Sequence, residues 1–143
     1  MKLIKWNCAL LLFILLVTIF QIAQAEQTNL AVENGKLEFF ESCSLCHGKK
    51  AKGDGLFSTM LTIETPDLTQ LSRNNGGNFP YREVYLVVDG REPITQHGPR
   101  QMPIWGDRFK STTWYTVNQN YAETLVTGKI FEVLLYLDSI QEE

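Results

Sequence analysis

Two stretches of the chain carry apolar residues at the three-to-four-residue spacing of a helix face. In the first, Val32, Leu37, Phe39, Phe40 and Leu45 predict a helix over Val32–His47 with Asn34 as its cap. Gly35 and Phe39 lie four apart on it and so share a face. In the second, Leu125, Ile130, Val133, Leu134, Tyr136, Leu137 and Ile140 make a wide apolar stripe that predicts a helix over Tyr121–Ile140, with Gly128 weakening its first half. A packing solution follows, in which the two helices cross with Gly35 at the point of close approach, against Val133 and Tyr136. The plainer alternative is a glycine that only stands in a helix start.

Between these stretches the chain is interrupted by Gly48, Gly53, Gly55, Pro66, Gly76, Gly77, Pro80, Gly90, Pro93, Gly98, Pro99 and Pro103, which leaves room for short helices. Two are predicted, Asp67–Leu71 and Tyr81–Val88, the second with Val84, Leu86, Val87 and Val88 around much of its circumference. Alternation of apolar and polar residues is weak, and no repeat or low-complexity segment is visible. The expected class is all-α. Residues Asp107 to Asn120 form a longer connection than a tight link to the last helix needs, and no chemistry attaches to them.

The first 25 residues have a different pattern. Lys2 and Lys5 precede an apolar run from Ala9 to Phe20, and Ala23-Gln24-Ala25 follows as a small-x-small site. This is the form of a secretory signal peptide cleaved after Ala25. The run falls short of the roughly 20 residues that cross a bilayer as a helix; an uncleaved anchor is the alternative. Cys8 lacks a lipoprotein context and leaves with the signal. The expected organisation is a signal over residues 1–25 and one domain over 26–143.

The whole chain has a formal charge of −3, and loss of Lys2 and Lys5 with the signal makes the remainder more acidic. Nucleic acid is excluded as an expected partner on this charge. Two of the three cysteines, Cys43 and Cys46, remain after cleavage, and both stand in one motif.

That motif is Cys43-Ser44-Leu45-Cys46-His47, a CxxCH box. Its two thiols can add to the vinyl groups of one haem, and the histidine beside the second cysteine can ligate the iron. Two other chemistries use CxxC. A thioredoxin-like centre wants a strand before the motif, whereas the preceding residues have helical spacing. A zinc site would recruit Cys43, Cys46, His47 and His97, but Cys46 and His47 are sequence neighbours and fit one tetrahedral shell poorly. Covalent haem attachment of this kind is made outside the bacterial cytoplasm, so the export signal and the expected cofactor, one covalent haem c, agree.

The far side of such an iron needs its own ligand or stays open. Met102 sits in His97-Gly98-Pro99-Arg100-Gln101-Met102-Pro103-Ile104-Trp105-Gly106, a stretch too rich in glycine and proline for a helix interior and able to wrap a haem. Met60 lies only 13 residues past His47 and reads as a core filler. His97 can also bind iron, although a histidine between glycine and proline more often serves a loop.

The combination Gly35-x-x-x-Phe39-x-x-x-Cys43-x-x-Cys46-His47 with Met102-Pro103-x-Trp105-Gly106 resembles the small class I c-type cytochromes of bacteria, over Gly35 through Gln141. Tyr136-Leu137-Asp138-Ser139-Ile140-Gln141 is similar to the final helix of that family. The resemblance implies an all-helical, mono-haem fold with crossing terminal helices, His47 and Met102 as axial ligands, and transfer of one electron between periplasmic protein partners. It implies no catalytic residues. A thioether opposite an imidazole raises the reduction potential relative to two imidazoles. Alternatives are a haem subunit held in an oxidoreductase complex and a ligand sensor or peroxidase-like enzyme with an open sixth position.

Smaller expectations attach to other residues. Pro66 can offer its carbonyl to the His47 ring or merely start the helix after it. Trp105 and Tyr115 can approach a haem edge or propionate, and Arg100 can pair with a propionate. Lys49, Lys50 and Lys52 can mark a docking edge or be a solvated turn.

Overall fold

The computed structural model describes residues 2–91, 102–112 and 119–142, and every regular element among them is helical. The elements are α1 (Lys2–Ser42), α2 (Ser44–His47), a 3₁₀ turn at Ser58–Met60, a second at Leu68–Gln70 that runs into α3 (Leu71–Asn74), then α4 (Tyr81–Asp89), α5 (Trp105–Thr112) and α6 (Gln119–Ser139). The all-α class expected from the sequence is therefore found.

Contacts divide the chain into Met1–Ala31 and Val32–Glu143. In the first unit the apolar side chains from Leu10 to Phe20 are exposed. Among the described residues, no helix is long and apolar enough to cross a membrane.

The second unit is organised on α6, whose one wide apolar face serves two clusters along its length. Val133, Tyr136 and Leu137 pack with Phe39, Cys43 and Ala51. Val126, Ile130 and Leu134 pack with Val88, Trp105 and Phe109. Phe79 and Val84 border both clusters and join them. Helix α6 runs unbroken through Gly128, because packing of its neighbours offsets the cost of one glycine, about 0.5–1 kcal/mol relative to alanine.

Helix α1 meets α6 where the sequence placed the contact. A Cβ on Gly35 would overlap the Glu132 carbonyl and stand 2.9 Å from the Val133 nitrogen. With the backbones so close, Phe39 becomes fully buried and its ring lies 5.3 Å from that of Tyr136. Polar bonds pin the same crossing: Asn34 Nδ2 donates to Glu132 Oε1 at 3.0 Å, and Lys129 Nζ to Glu38 Oε2 at 2.8 Å.

Several expectations need correction. Asn34 is no cap, since α1 continues through it and its amide is used sideways on α6. The first helix stops at Ser42 instead of His47, because the chain turns at Cys43 before α2 begins. The helix expected over Asp67–Leu71 starts as 3₁₀ at Leu68, capped by the Asp67 carboxylate that accepts from the Thr69 N–H, and runs on to Asn74. The helix expected over Tyr81–Val88 extends to Asp89 and ends at left-handed Gly90. Part of the Asp107–Asn120 connection is helix α5, which the sequence pattern did not announce; residues 113–118 lie outside the described residues.

Two glycines on these helices should respond in opposite ways. Gly35→Ala should lower unfolding free energy by roughly 1–3 kcal/mol, because backbone must move to admit a methyl. At Gly128 an added Cβ meets nothing within 4 Å, so Gly128→Ala should stabilise by about 0.5–1 kcal/mol. Denaturant unfolding followed by circular dichroism reads both, and a neutral Gly35→Ala would contradict the crossing.

Candidate haem-binding site

The CxxCH box is a short helix whose free carbonyls are all taken. Those of Ser44, Leu45, Cys46 and His47 accept from the N–H groups of Gly48 at 2.8 Å, Phe57 at 3.0 Å, Gly55 at 3.1 Å and Gly53 at 2.9 Å. A helix end normally leaves such acceptors to water. Here residues 53–57 fold back on the motif and hold its backbone, which explains why glycines cluster just after His47.

Cys43 points into the core beside Phe39, Val133 and Tyr136, with 8% of its surface exposed, while Cys46 is half-buried. Both are free thiols. Burial, then the charge of Glu38, then Cys46 push the Cys43 thiol up to about 12. A thiol so reluctant to ionise is a poor redox nucleophile and a poor zinc ligand. The helix before the motif likewise lacks the strand a thioredoxin-like centre requires. Among the described residues no three His, Cys, Asp or Glu side chains converge as a metal site would need.

Burial lowers the His47 proton affinity, and the Pro66 backbone carbonyl opposes this. The net direction keeps the imidazole neutral, the form that ligates metal. Nδ1 is buried and finds no aligned hydrogen-bond partner. The Pro66 carbonyl thus acts on the ring without closing a well-formed bond at Nδ1. Pro66 reaches this position because Gly53, bonded to the His47 carbonyl, packs against the Thr65–Pro66 backbone.

Met102 is half-buried against the Val88, Trp105 and Ile130 cluster, in the irregular residues that precede α5. Cys43 belongs to the other cluster, so the two candidate segments border neighbouring stretches of the apolar face of α6 and meet through Phe79 and Val84. A cleft of about 510 Å³ opens between Ser42, just before the first cysteine, and Trp105, just after Met102, with Glu38, Phe109 and Lys129 also lining it.

Trp105 is buried, with the Phe109 ring 5.6 Å away and the Arg108 guanidinium 5.3 Å over its face. His97, Arg100 and Tyr115 lie outside the described residues. Met60 is 72% exposed, so it is not the core filler its spacing suggested. The basic cluster reduces to Lys49 and Lys50, because Lys52 bonds Glu142 at 2.5 Å, Thr69 at 2.8 Å and Asp67 at 3.6 Å.

The donors fit a covalent haem. Two free thiols and a neutral imidazole share one short helix, and large apolar side chains stand exposed within and just after it: Leu45, Leu56, Phe57, Met60 and Ile63. An apolar surface of this density is seldom left to water.

Sequence reasoning missed a charged network. Arg91 Nε and Nη2 donate to Asp89 Oδ1 at 2.9 and 2.7 Å, Arg91 Nη1 donates to Glu123 Oε2 at 2.6 Å, and Lys110 Nζ pairs with Glu123 Oε1. The four residues come from α4, its exit, α5 and α6, and no local pattern links them.

Compared with protein-family models, with characterised proteins and with solved structures, the chain matches none.

Two measurements follow. In chain made without haem, iodoacetamide should label Cys46 before Cys43, read by peptide mass spectrometry; equal rates would contradict the buried thiol. Lys110 and Arg91 together hold the Glu123 carboxyl below its ordinary value. Its stabilisation is therefore complete above the ordinary glutamate range, about 4.3, and is lost as pH falls through the lower folded value. Glu123→Gln should flatten this acid-side slope, because it lowers the melting temperature most near neutral pH, where the carboxylate contributes fully, and least in acid.

Proposed function

We propose that the chain is an exported one-electron carrier that binds one covalent haem c through Cys43 and Cys46, with His47 and Met102 as axial ligands. The observation that carries this reading is the CxxCH helix itself: free thiols, a buried neutral imidazole, and a backbone fixed by residues 53–57. It also rests on the resemblance to class I c-type cytochromes, whose cytochrome c fold we extend to this all-helical chain.

When bound, the haem iron takes and gives single electrons. The chain's own part is to hold ligands still and keep water away. Cys43 anchors from the core, His47 is presented neutral with the Pro66 carbonyl beside its ring, and Met102 supplies a soft sulfur. A sulfur ligand opposite imidazole favours the reduced state. With His47 and Met102 both holding the iron, the protein would be a carrier for protein redox partners and not an enzyme, and its place would be the periplasm, reached through the signal over residues 1–25.

Visible and near-infrared spectra with and without carbon monoxide test this. Wild type should show a sulfur-to-iron charge-transfer band in the ferric state and bind carbon monoxide slowly, and Met102→Ala should lose the band and bind readily. Cys43→Ala with Cys46→Ala should leave no covalent haem after acid–acetone extraction. Ready carbon monoxide binding by wild type would move the assignment to a ligand sensor or peroxidase-like enzyme.

A further inference from the structure

The charged network has no part in the site as described, yet it touches the segment that bears Met102. Asp89 is nearly buried at the carboxyl end of α4, where a carboxylate is unfavourable because the last helix carbonyls are also negative. A cation has to stand there. The chain reverses through left-handed Gly90, and Arg91 folds back to place two guanidinium N–H groups on one Asp89 oxygen. The third arm of the guanidinium reaches Glu123 on α6, and Lys110 on α5 grips the other Glu123 oxygen.

The first turn of α5 is packed onto this pair. A Cβ on Gly106 would collide with Asp89 Oδ1 and come within 2.5 Å of Arg91 Nε, and the Asp89 carbonyl is 2.9 Å away. The backbone at Gly106, four residues past Met102, therefore rests on the Asp89–Arg91 pair, and Trp105 beside it is buried. Among the described residues Met102 is followed within three positions by α5 and packs on the same cluster as Trp105 and Phe109, so what fixes the start of α5 bears on the approach of the thioether.

We propose that Arg91, clamped by Asp89 and Glu123 under Gly106, is a positioning residue that holds Met102 as the sixth ligand. This rests on the His47–Met102 ligation proposed above. It goes beyond that reading by naming a group that acts on the thioether through backbone packing, without touching the cofactor. Charge-assisted forked bonds suit the task because they fix direction as well as distance.

The test is the rate at which ferrous holoprotein binds carbon monoxide, which requires Met102 to leave first, together with the ferric sulfur-to-iron band and far-ultraviolet circular dichroism. Arg91→Gln should speed binding by about tenfold at temperatures where the helices remain native. Arg91→Lys, which keeps the charge but loses the fork, should speed it less, and Glu123→Gln should fall between. Arg82→Gln, at an exposed arginine of α4, should change nothing. If Arg91→Gln does not fold, Arg91→Lys and Glu123→Gln decide the matter by the same readout. Unchanged binding rates in variants of a protein that shows the wild-type band would overturn the positioning role alone. Rates that rise only in step with loss of helix would overturn it too. Absence of the band in wild type would overturn the ligation and the positioning role together.

Discussion

The structure depends on one helix whose wide apolar face serves two clusters. Helix α6 turns Val133, Tyr136 and Leu137 toward α1 and the CxxCH turn, and Val126, Ile130 and Leu134 toward α4 and α5. Each fully buried side chain of this size contributes about 1.5–3 kcal/mol relative to exposure, and α6 supplies most of them. Because both clusters share this helix, the position of Cys43 and the position of Met102 are referred to the same rod. The close approach at Gly35 fixes how α1 lies on it, and a few residues later that fixes where Cys43 enters the core.

A second constraint is the cost of unsatisfied backbone. A four-residue helix cannot bond its own carbonyls, so Gly48 takes that of Ser44 and residues 53–57 take those of Leu45, Cys46 and His47. The same fold-back brings Pro66 to His47 by way of Gly53. One local need, four carbonyls wanting donors, thus generates the surroundings of the imidazole. The exposed Leu45, Leu56, Phe57, Met60 and Ile63 then make sense as a surface shaped for an apolar covering, which a domain of this size also lacks in its core.

What was legible in the sequence was what repeats or what is chemically singular. Helix α6 and the end of α1 were visible from apolar spacing, and the Gly35 contact followed because only a glycine lets two such faces meet. CxxCH was visible because two thiols and an imidazole at that spacing have few uses. Helix α5 was not, since Trp105 and Phe109 alone cannot mark a face among Gly106, Asp107, Arg108 and Lys110. Asn34 was misread because a capping residue and an interior asparagine look alike until its long-range partner Glu132 is known. Met60 was misread for the converse reason: apolar character predicts burial on average, but Met60 stands exposed with Leu56, Phe57 and Ile63. The network of Asp89, Arg91, Lys110 and Glu123 was invisible because its members are brought together only by the docking of three helices.

That network also bears on what the proposed electron carrier would require. Ligands that shift when an iron changes charge slow electron transfer, so on that reading the chain would have to resist motion at both His47 and Met102. At His47 resistance comes from neutral elements: four backbone hydrogen bonds and a buried thiol anchor. At Met102 the described residues that follow it are irregular and Pro103 donates no hydrogen bond. Charged groups fill the gap. Surface ion pairs contribute little singly, but Arg91 serves two carboxylates at once, and one of them is buried where an unpaired charge would be costly. On the proposed ligation, rigidity at His47 would come from backbone bonds and rigidity at Met102 from electrostatics, so salt and acid should loosen the methionine side while leaving the histidine side in place.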